Sequence, residues 1–316
     1  MPKLSVNLIT WNGEKYIPYL FASLRNQTFK DWELLVIDNG SSDGTAAKIE
    51  AELASFSVSA KFIKNNKNLG FAGGHNQGLR VTGGELVLFL NQDIILAPDY
   101  FEKIVGFMET RPDAAAAQGV LCKWIFPDGK TDIVDSLGLR VFKNRRVVDI
   151  TESDGVAEVF GLSGALPMFR RSALLAIKIN DEIFDEDFFA YKEDVDLTYR
   201  LRLSGFKSFI TDETNAWHDR TAAADRGRKS DFVNYHSYKN HLFVLIKNEF
   251  CANFWVDFPR IFWYEFRKFV YILLFERRTL RALPDFFRLL PKMVKKRKII
   301  KAQRKISARE MRKWFV

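Results

Sequence analysis

Cysteine is nearly absent: Cys122 and Cys251 are the only two in 316 residues. Two thiols cannot build a disulfide framework and show no metal-ligand spacing, so they read as buried apolar filler in a reduced, cytosolic setting. Also missing is any run approaching the ~20 apolar residues that a spanning helix needs. The start, Pro2-Lys3-Leu4-Ser5-Val6-Asn7-Leu8-Ile9, is already strand-like and has neither the length nor the cleavage pattern of a signal peptide. The glycine-rich stretch 68–78 does not match G-x-G-x-x-G and follows the third strand-like run instead of the first, so a dinucleotide oxidoreductase loses its main support. Internal repeats and low-complexity tracts are lacking too. What is present, 47% apolar residues, excludes general disorder. The length favours one large domain with an appendage over three small ones.

The net charge of +9 belongs to one end. Residues 251–316 hold 18 Lys/Arg against 5 Asp/Glu, while the first 250 hold 30 against 34. A nucleic-acid footprint over the whole chain is therefore not what the charge describes. The tail itself has two parts. Residues 254–275 crowd Phe, Trp, Tyr, Ile and Leu around Asp257, Arg260, Glu265, Arg267 and Lys268, and residues 292–305 form a Lys/Arg block. An aromatic amphipathic stretch followed by a polybasic one suits a segment lying on an anionic membrane surface. The competing reading is a helix packed on the core with a solvated basic face.

Short apolar runs near 4–10, 33–38, 60–64 and 85–90 alternate with amphipathic stretches near 14–26, 43–54 and 71–82, and 98–110 opens as a further helix behind Pro98-Asp99. That rhythm predicts an α/β fold, a mostly parallel central sheet with flanking helices. Segments 119–127, 139–150 and 157–162 read as strands of a less regular, antiparallel part, with turns at Asp128-Gly129 and Asp154-Gly155. Helices are expected over 192–204, ended by Gly205, and over 231–249, with a strand at 206–210 and a mobile loop at 221–230. The division is residues 1–250 as the α/β domain and 251–316 as a basic, aromatic helical tail.

Three acidic positions stand where such a sheet binds ligands, at strand ends or at a helix start. Asp38 follows Leu34-Leu35-Val36-Ile37, and Asp93 follows Leu86-Val87-Leu88-Phe89-Leu90. Glu193-Asp194 opens a helix behind Phe188-Phe189-Ala190-Tyr191. Asp38, with its Gly/Ser turn, suits a ribose hydroxyl or a base N–H, or else simply caps a strand-to-helix turn. Asp93 suits a hard divalent cation, Mg or Mn, that neutralises a diphosphate, or else forms a turn. His218, in Ala216-Trp217-His218-Asp219, could complete that metal site. The adjacent carboxylates Glu193 and Asp194 either answer the helix dipole or provide a general base of raised pKa.

In order, the chain shows Leu8-Ile9-Thr10-Trp11-Asn12, VIDNGSSDGT, NLGFAGGHNQGL, LFLNQD, GLSGALPMFRRSAL, FDEDFFAYKEDVDLTYRLRLSGF and AWH. This series resembles family 2 glycosyltransferases of the GT-A fold, in particular the rhamnosyltransferase-like branch, over about residues 3–250. The tail ending Ile306-Ser307-Ala308-Arg309-Glu310 looks like that branch as well. The resemblance implies that Thr10, Asn12 and Asp38 line the nucleoside pocket, and that Gly73, Gly74 and Asn76 lie beside the nucleotide sugar. It implies Asp93 and His218 as metal ligands and Asp194, beside Glu193, as the general base. Asn91 stands where many members carry the first carboxylate of Asp-x-Asp, and a neutral amide holds a metal less strongly. The Gln-x-x-Arg-Trp motif of processive synthases is absent, which favours single-sugar transfer. The expectation is an inverting enzyme at the inner face of the cell membrane. It moves one sugar from a nucleotide-diphosphate donor, dTDP-rhamnose by likeness, to a hydroxyl of a glycan or lipid-linked glycan. A UDP-hexose donor and a nucleotidyltransferase-like activity remain the alternatives.

Overall fold

The computed structural model describes every residue except 128, 153–156, 221–223 and 226–227, and only the backbone of 224–225 and 228–229. The turns expected at Asp128-Gly129 and Asp154-Gly155 and the loop expected at 221–230 therefore lie partly or wholly outside the described residues.

The elements run β1 (Leu4–Thr10), α1 (Ile17–Arg25), β2 (Trp32–Asp38), α2 (Thr45–Leu53), β3 (Ala60–Lys64), α3 (Gly70–Val81), β4 (Leu86–Asn91), β5 (Ile94–Leu96) and α4 (Tyr100–Thr110). Then come β6 (Ala114–Ile125), β7 (Gly129–Ser136), β8 (Leu139–Val141), β9 (Val147–Asp149), β10 (Ala157–Val159), β11 (Met168–Arg170), α5 (Arg171–Ala176), α6 (Glu193–Leu203) and β12 (Lys207–His218). The C-terminal part is helical: α7 (Asp231–Asn248), α8 (Cys251–Phe275), α9 (Ala282–Gln303) and α10 (Ala308–Arg312).

One sheet carries the strand order β10-β12-β6-β11-β4-β1-β2-β3, with β5 on β12 and β7 on β6. The strands β1 to β4 are mutually parallel, and β11 enters antiparallel between β4 and β6. Side chains alternate between the two faces. Leu4, Val6, Leu8, Leu86, Leu88 and Leu90 pack towards α1 and α4, whereas Val87 and Phe89 pack towards α5 and α6 with Ala72 of α3. Both faces are covered, which is why these strands read as near-continuous apolar runs. In register, Thr10 lies opposite Asp38 and Ile9 opposite Asn91, so the carboxyl ends of β1, β2 and β4 form one ledge.

Two expectations change. Residues 139–150, read as one strand, form the antiparallel hairpin of β8 and β9, whose turn holds Arg145 at φ 66°. The strand expected over 206–210 extends to His218, because its second half pairs with β5 and the far end of β6. Neither β7 nor β11 is announced by the sequence: β7 is largely polar, and β11 is three residues long.

The tail shares a core with the rest of the chain. Met293, Ile300, Met311 and Phe315 pack with Tyr199 of α6, Phe243 and Val244 of α7 and Val141 of β8. A buried ion network lies beside this cluster. Lys247 Nζ of α7 meets Asp185 at 2.5 Å and Asp196 at 2.8 Å, and Lys296 Nζ of α9 meets Asp185 at 2.5 Å and Asp187 at 2.8 Å. Arg200 closes the group on Asp196 at 2.9 Å. Burial alone would raise both carboxyls, yet Lys247 and Lys296 hold Asp185, and Lys247 and Arg200 hold Asp196, below the usual carboxylate range.

Removing one partner from such a group strands a buried charge. Lys247→Met is expected to lower unfolding free energy by about 3–5 kcal/mol in urea titrations. The carboxylates' contribution is complete above their unfolded-state pKa of about 4 and declines as pH falls towards the depressed folded-state values. Midpoints measured from pH 7 down to pH 3 should therefore fall, and fall less steeply in the variant.

Candidate active site

The ledge formed by β1, β2 and β4 supplies the first corner. Asp38 is 2% exposed, and its carboxylate accepts from Thr10 Oγ1 at 2.9 Å, Ser41 N at 3.0 Å and Ser41 Oγ at 2.5 Å. Asn12, at φ 48°, donates its N–H to Ser41 Oγ at 2.9 Å and accepts from Ser42 N at 2.8 Å. Thr10 and Asn12 thus brace the turn that carries Asp38. Beside it, the side-chain amide of Gln92 pairs with both backbone groups of Trp11, at 2.9 and 3.0 Å. A Cβ on Gly13 would stand 2.1 Å from Gln92 Oε1, so this pairing requires the glycine. The result is a Trp11 ring held at the rim and half exposed, an apolar plate next to a polar wall.

Gly73, Gly74 and Asn76 lie buried in α3. A Cβ at Gly74 would meet Ile9 Cδ1 at 2.8 Å, so that glycine lets the helix approach the sheet. Asn76 donates to Phe184 O and Glu186 Oε1 and accepts from Ile183 N and Phe184 N, which uses the full capacity of its amide. The roles these residues show are in packing, and Asn76 holds the chain segment that leads to α6.

The second corner joins Asp93 and His218. His218 Nε2 faces Asp93 Oδ1 at 3.6 Å, and His218 Nδ1 lies 3.0 Å from Asp135 Oδ2. Asp93 Oδ1 is buried without a hydrogen-bond partner. Burial draws the imidazole pKa down, but the carboxylates of Asp93 and Asp135 outweigh it and raise the pKa to about 9. A carboxylate behind a histidine, fixing which nitrogen faces forward, is the arrangement that orients metal ligands. Among the described residues no three His, Cys, Asp or Glu side chains cluster at metal-holding spacing. Two protein groups nevertheless fit Mg or Mn, which keep much of their shell for water and substrate phosphates. Asn91, at the end of β4, is half-buried on the same ledge.

The third corner is the start of α6. Glu193 is buried with Oε2 unpartnered. Burial, and then the neighbouring Asp194, push its carboxyl well above the usual range. Burial raises Asp194 too, against hydrogen bonds from Val195 N at 2.7 Å and Gly164 N at 3.2 Å. The chain reaches this pair through Phe189, Tyr191 and Lys192, all at positive φ (65°, 65° and 70°), a conformation that costs L-residues energy and needs outside support. The support is Asn240 of α7, whose Nδ2 lies 2.9, 2.9 and 2.7 Å from the carbonyls of Phe188, Ala190 and Tyr191. Gly70 lets this loop sit on α3, since a Cβ there would stand 2.4 Å from Phe189 O.

Contacts join the corners. Arg220 bonds Asp135 at 2.7 Å and Asp149 at 2.8 Å, and Asp149 in turn adds to the rise in Asp194. Burial raises the Tyr191 phenol, and the Glu193 and Asp93 carboxylates, both near enough to act on it, raise it further. Asn91 N donates to Ala165 O beside Gly164, which contacts Asp194. Asp93, His218, Glu193 and Asp194 therefore share one region with the β4 ledge. Asp135, Arg220 and Asn240 belong to the same site and sit in no sequence motif, while Gln92 sits inside LFLNQD without having stood out there. Asp135 alone had a signal, the polar alternation of β7 opposite β6.

The mixed sheet with its flanking helices has the fold of GT-A glycosyltransferases. The chain matches the family model "Glycosyl transferase family 2" over residues 5–176, and it belongs to that family. It is a glycosyltransferase that draws on a nucleotide-sugar donor. An uncharacterized glycosyltransferase of Methanocaldococcus jannaschii is 24% identical over 289 residues, 90% of this chain and 93% of that one. An uncharacterized glycosyltransferase of Haemophilus influenzae is 36% identical over 118 residues, and the match spans 36% of its length. A GalNAc(5)-diNAcBac-PP-undecaprenol beta-1,3-glucosyltransferase of Campylobacter jejuni is 37% identical over 93 residues, 29% of this chain and 30% of that one. Two solved structures show the fold. Staphylococcus aureus TarS 1–349 has TM-score 0.60 and 18% identity over 95% of this chain and 86% of its own. The mannosyltransferase PcManGT of Pyrobaculum calidifontis, in complex with GDP-Man and Mn2+, has TM-score 0.56 and 18% identity over 92% and 74%.

If Asp135 orients His218, Asp135→Asn should weaken Mn binding by about 10–100-fold with the fold intact. Calorimetric Mn titration in the presence of a nucleoside diphosphate measures this, and unchanged affinity would remove Asp135 from the site.

Proposed function

We propose that this enzyme is an inverting transferase that moves one sugar from a nucleotide-diphosphate donor to a hydroxyl of a lipid-linked glycan. The observation that carries the reading is Asp194, a carboxylate of raised pKa on the same wall as the Asp93–His218 pair. A base with its pKa shifted towards the working pH both accepts and releases a proton readily. Asp194 takes the proton of the acceptor hydroxyl as its oxygen bonds to the anomeric carbon. The bond from that carbon to the diphosphate oxygen breaks, and the nucleoside diphosphate leaves with the electron pair. Glu193, buried beside Asp194, disfavours a second negative charge and so keeps the pair's proton affinity high. Asp38, Thr10 and Asn12 build the nucleoside end, with Trp11 as a plate for the base. Mg or Mn, held by Asp93 and His218, supplies positive charge at the diphosphate.

The donor is dTDP-rhamnose on the resemblance to the rhamnosyltransferase-like branch, with a UDP-hexose as the competitor. The Campylobacter relative, by its name, acts on a sugar chain linked to undecaprenol diphosphate, which supports a lipid-linked acceptor. Helix α8 supports work at a membrane surface, the cytoplasmic one by the same resemblance. Trp255, Phe262, Trp263, Phe266, Leu274 and Phe275 are exposed along it, and no helix among the described residues is long and apolar enough to cross a bilayer. Aromatic residues at this density favour the headgroup zone.

Asp194→Asn should lower kcat by about 10²–10⁴-fold while donor binding, read by thermal shift, is unchanged. Near-normal turnover in that variant would exclude Asp194 as the base. A panel of dTDP-rhamnose and UDP-hexoses, each with and without Mn, identifies the donor as the compound giving the largest rise in Tm.

A further inference from the structure

The Lys/Arg block of 292–305 is not the free basic surface that its sequence suggests. Lys296 is buried among Glu182, Asp185 and Asp187, and Lys292 pairs with Asp187 at 2.8 Å. Arg297 donates to Ile246 O and Glu249 O, and Arg304 to Asn248 O. Four of the block's cations are thus committed to holding α9 against α7 and the 182–187 segment.

Cations of another kind stand beside the exposed face of α8. An open cavity of about 730 Å³ lies between that helix and the β8–β9 turn, lined by Lys143, Arg260, Arg267, Trp263, Tyr264 and Pro259 among others. Residues 260, 263, 264 and 267 fall at the i, i+3, i+4, i+7 spacing of one helical stripe. Lys143 and Arg267 have no ion-pair partner among the described residues. Arg260, 61% exposed, has only Asp257 at 3.9 Å. Asp257 is already matched by Arg145 at 3.0 Å and Arg312 at 2.7 Å, so the Arg260 charge is surplus. No carboxylate side chain lines the cavity.

We infer that this cavity is a binding site for the phosphate headgroup of a membrane lipid. The inference rests on the membrane placement proposed above. Surplus cations attract the phosphate, and Trp263 and Tyr264 are amphipathic rings of the kind that favour the membrane interface. Continuity with the exposed aromatics of α8 selects a lipid over a free anion: Trp263 of the cavity stacks on Phe266 at 5.7 Å, and Phe266 on Phe262 at 6.0 Å, which extends an apolar surface away from the cations for acyl chains. The same hairpin carries Asp149 to the active site. From Asn144 in the turn to Asp149 is five residues, at most roughly 17 Å of strand.

The test is co-sedimentation of the full chain with vesicles of phosphatidylcholine containing 30–40% phosphatidylglycerol (about the fraction that gives a strongly anionic surface), with pure phosphatidylcholine as the control. Wild type should bind the anionic vesicles more tightly. The variant Lys143→Gln/Arg260→Gln/Arg267→Gln should lose about 100-fold in partition, three charges at roughly fivefold each, with an unchanged thermal melt. Lys295→Gln/Lys298→Gln/Lys301→Gln, which removes as much charge from α9, should lose less than tenfold. Equal losses in the two triple variants would overturn the cavity and leave a diffuse basic surface. If wild type fails to bind any vesicle, the membrane placement itself is wrong. Competition by millimolar inorganic phosphate as effective as that by anionic vesicles would overturn the lipid as ligand.

Discussion

The start of α6 and the loop that leads to it hang on two lysines inside the protein. Lys247 and Lys296 neutralise Asp185, and Lys247 with Arg200 neutralises Asp196. Asp185 caps the short 3-10 turn Glu186–Phe188, and Asp196 lies one turn into α6. Between these anchored points the chain passes through its left-handed residues and presents Glu193 and Asp194. A strained backbone holds only if both of its ends are fixed, and here the ends are fixed by charge and the middle by the Asn240 amide. The same lysines explain why Glu193 and Asp194 can sit at raised pKa so close to Asp196. Their positive charge is taken up by Asp185 and Asp196, and Lys192, the cation that does act on Glu193 and Asp194, is outweighed by burial.

The metal corner follows a related logic of alternation. Asp93, His218, Asp135, Arg220 and Asp149 form a line in which each group touches the next and charges of opposite sign alternate once the imidazole is protonated. The line fixes its buried members, His218 and Asp135, against each other, while Arg220 reaches in from the surface. It also bridges sequence distance: its members come from the β4–β5 turn, the ends of β7, β9 and β12, and the residue two beyond β12. The active site is therefore a seam between the parallel first half and the mixed second half of the sheet.

The first half of the fold was legible because β1, β2 and β4 are buried on both faces and end in turns with a polar signature. Asp38, Asp93 and Asp194 stand out for that reason, as punctuation after apolar runs. What the sequence hides is whatever depends on partners far along the chain. The amide of Asn76 reads as a ligand contact by its motif, yet it is saturated by the 183–186 segment, and Gln92, which carried no assigned role, clasps Trp11. Asp135 sits in a largely polar strand with no motif. The lysines of the tail read as one electrostatic class, and only three-dimensional packing separates those that clamp from those that are free.

Lys296 has a consequence for how the molecule is made. It lies 111 residues after the Asp185 it neutralises, and Phe315 meets Val141 across a still longer interval. A ribosome adding about 5–20 residues per second needs roughly 6–20 s to cover the shorter gap. Through that interval residues 5–176 are already made, while the segment ahead of α6 lacks Lys296 throughout and Lys247 for the first 62 residues. The buried carboxylates ahead of α6 are fully matched only once α9 has been made.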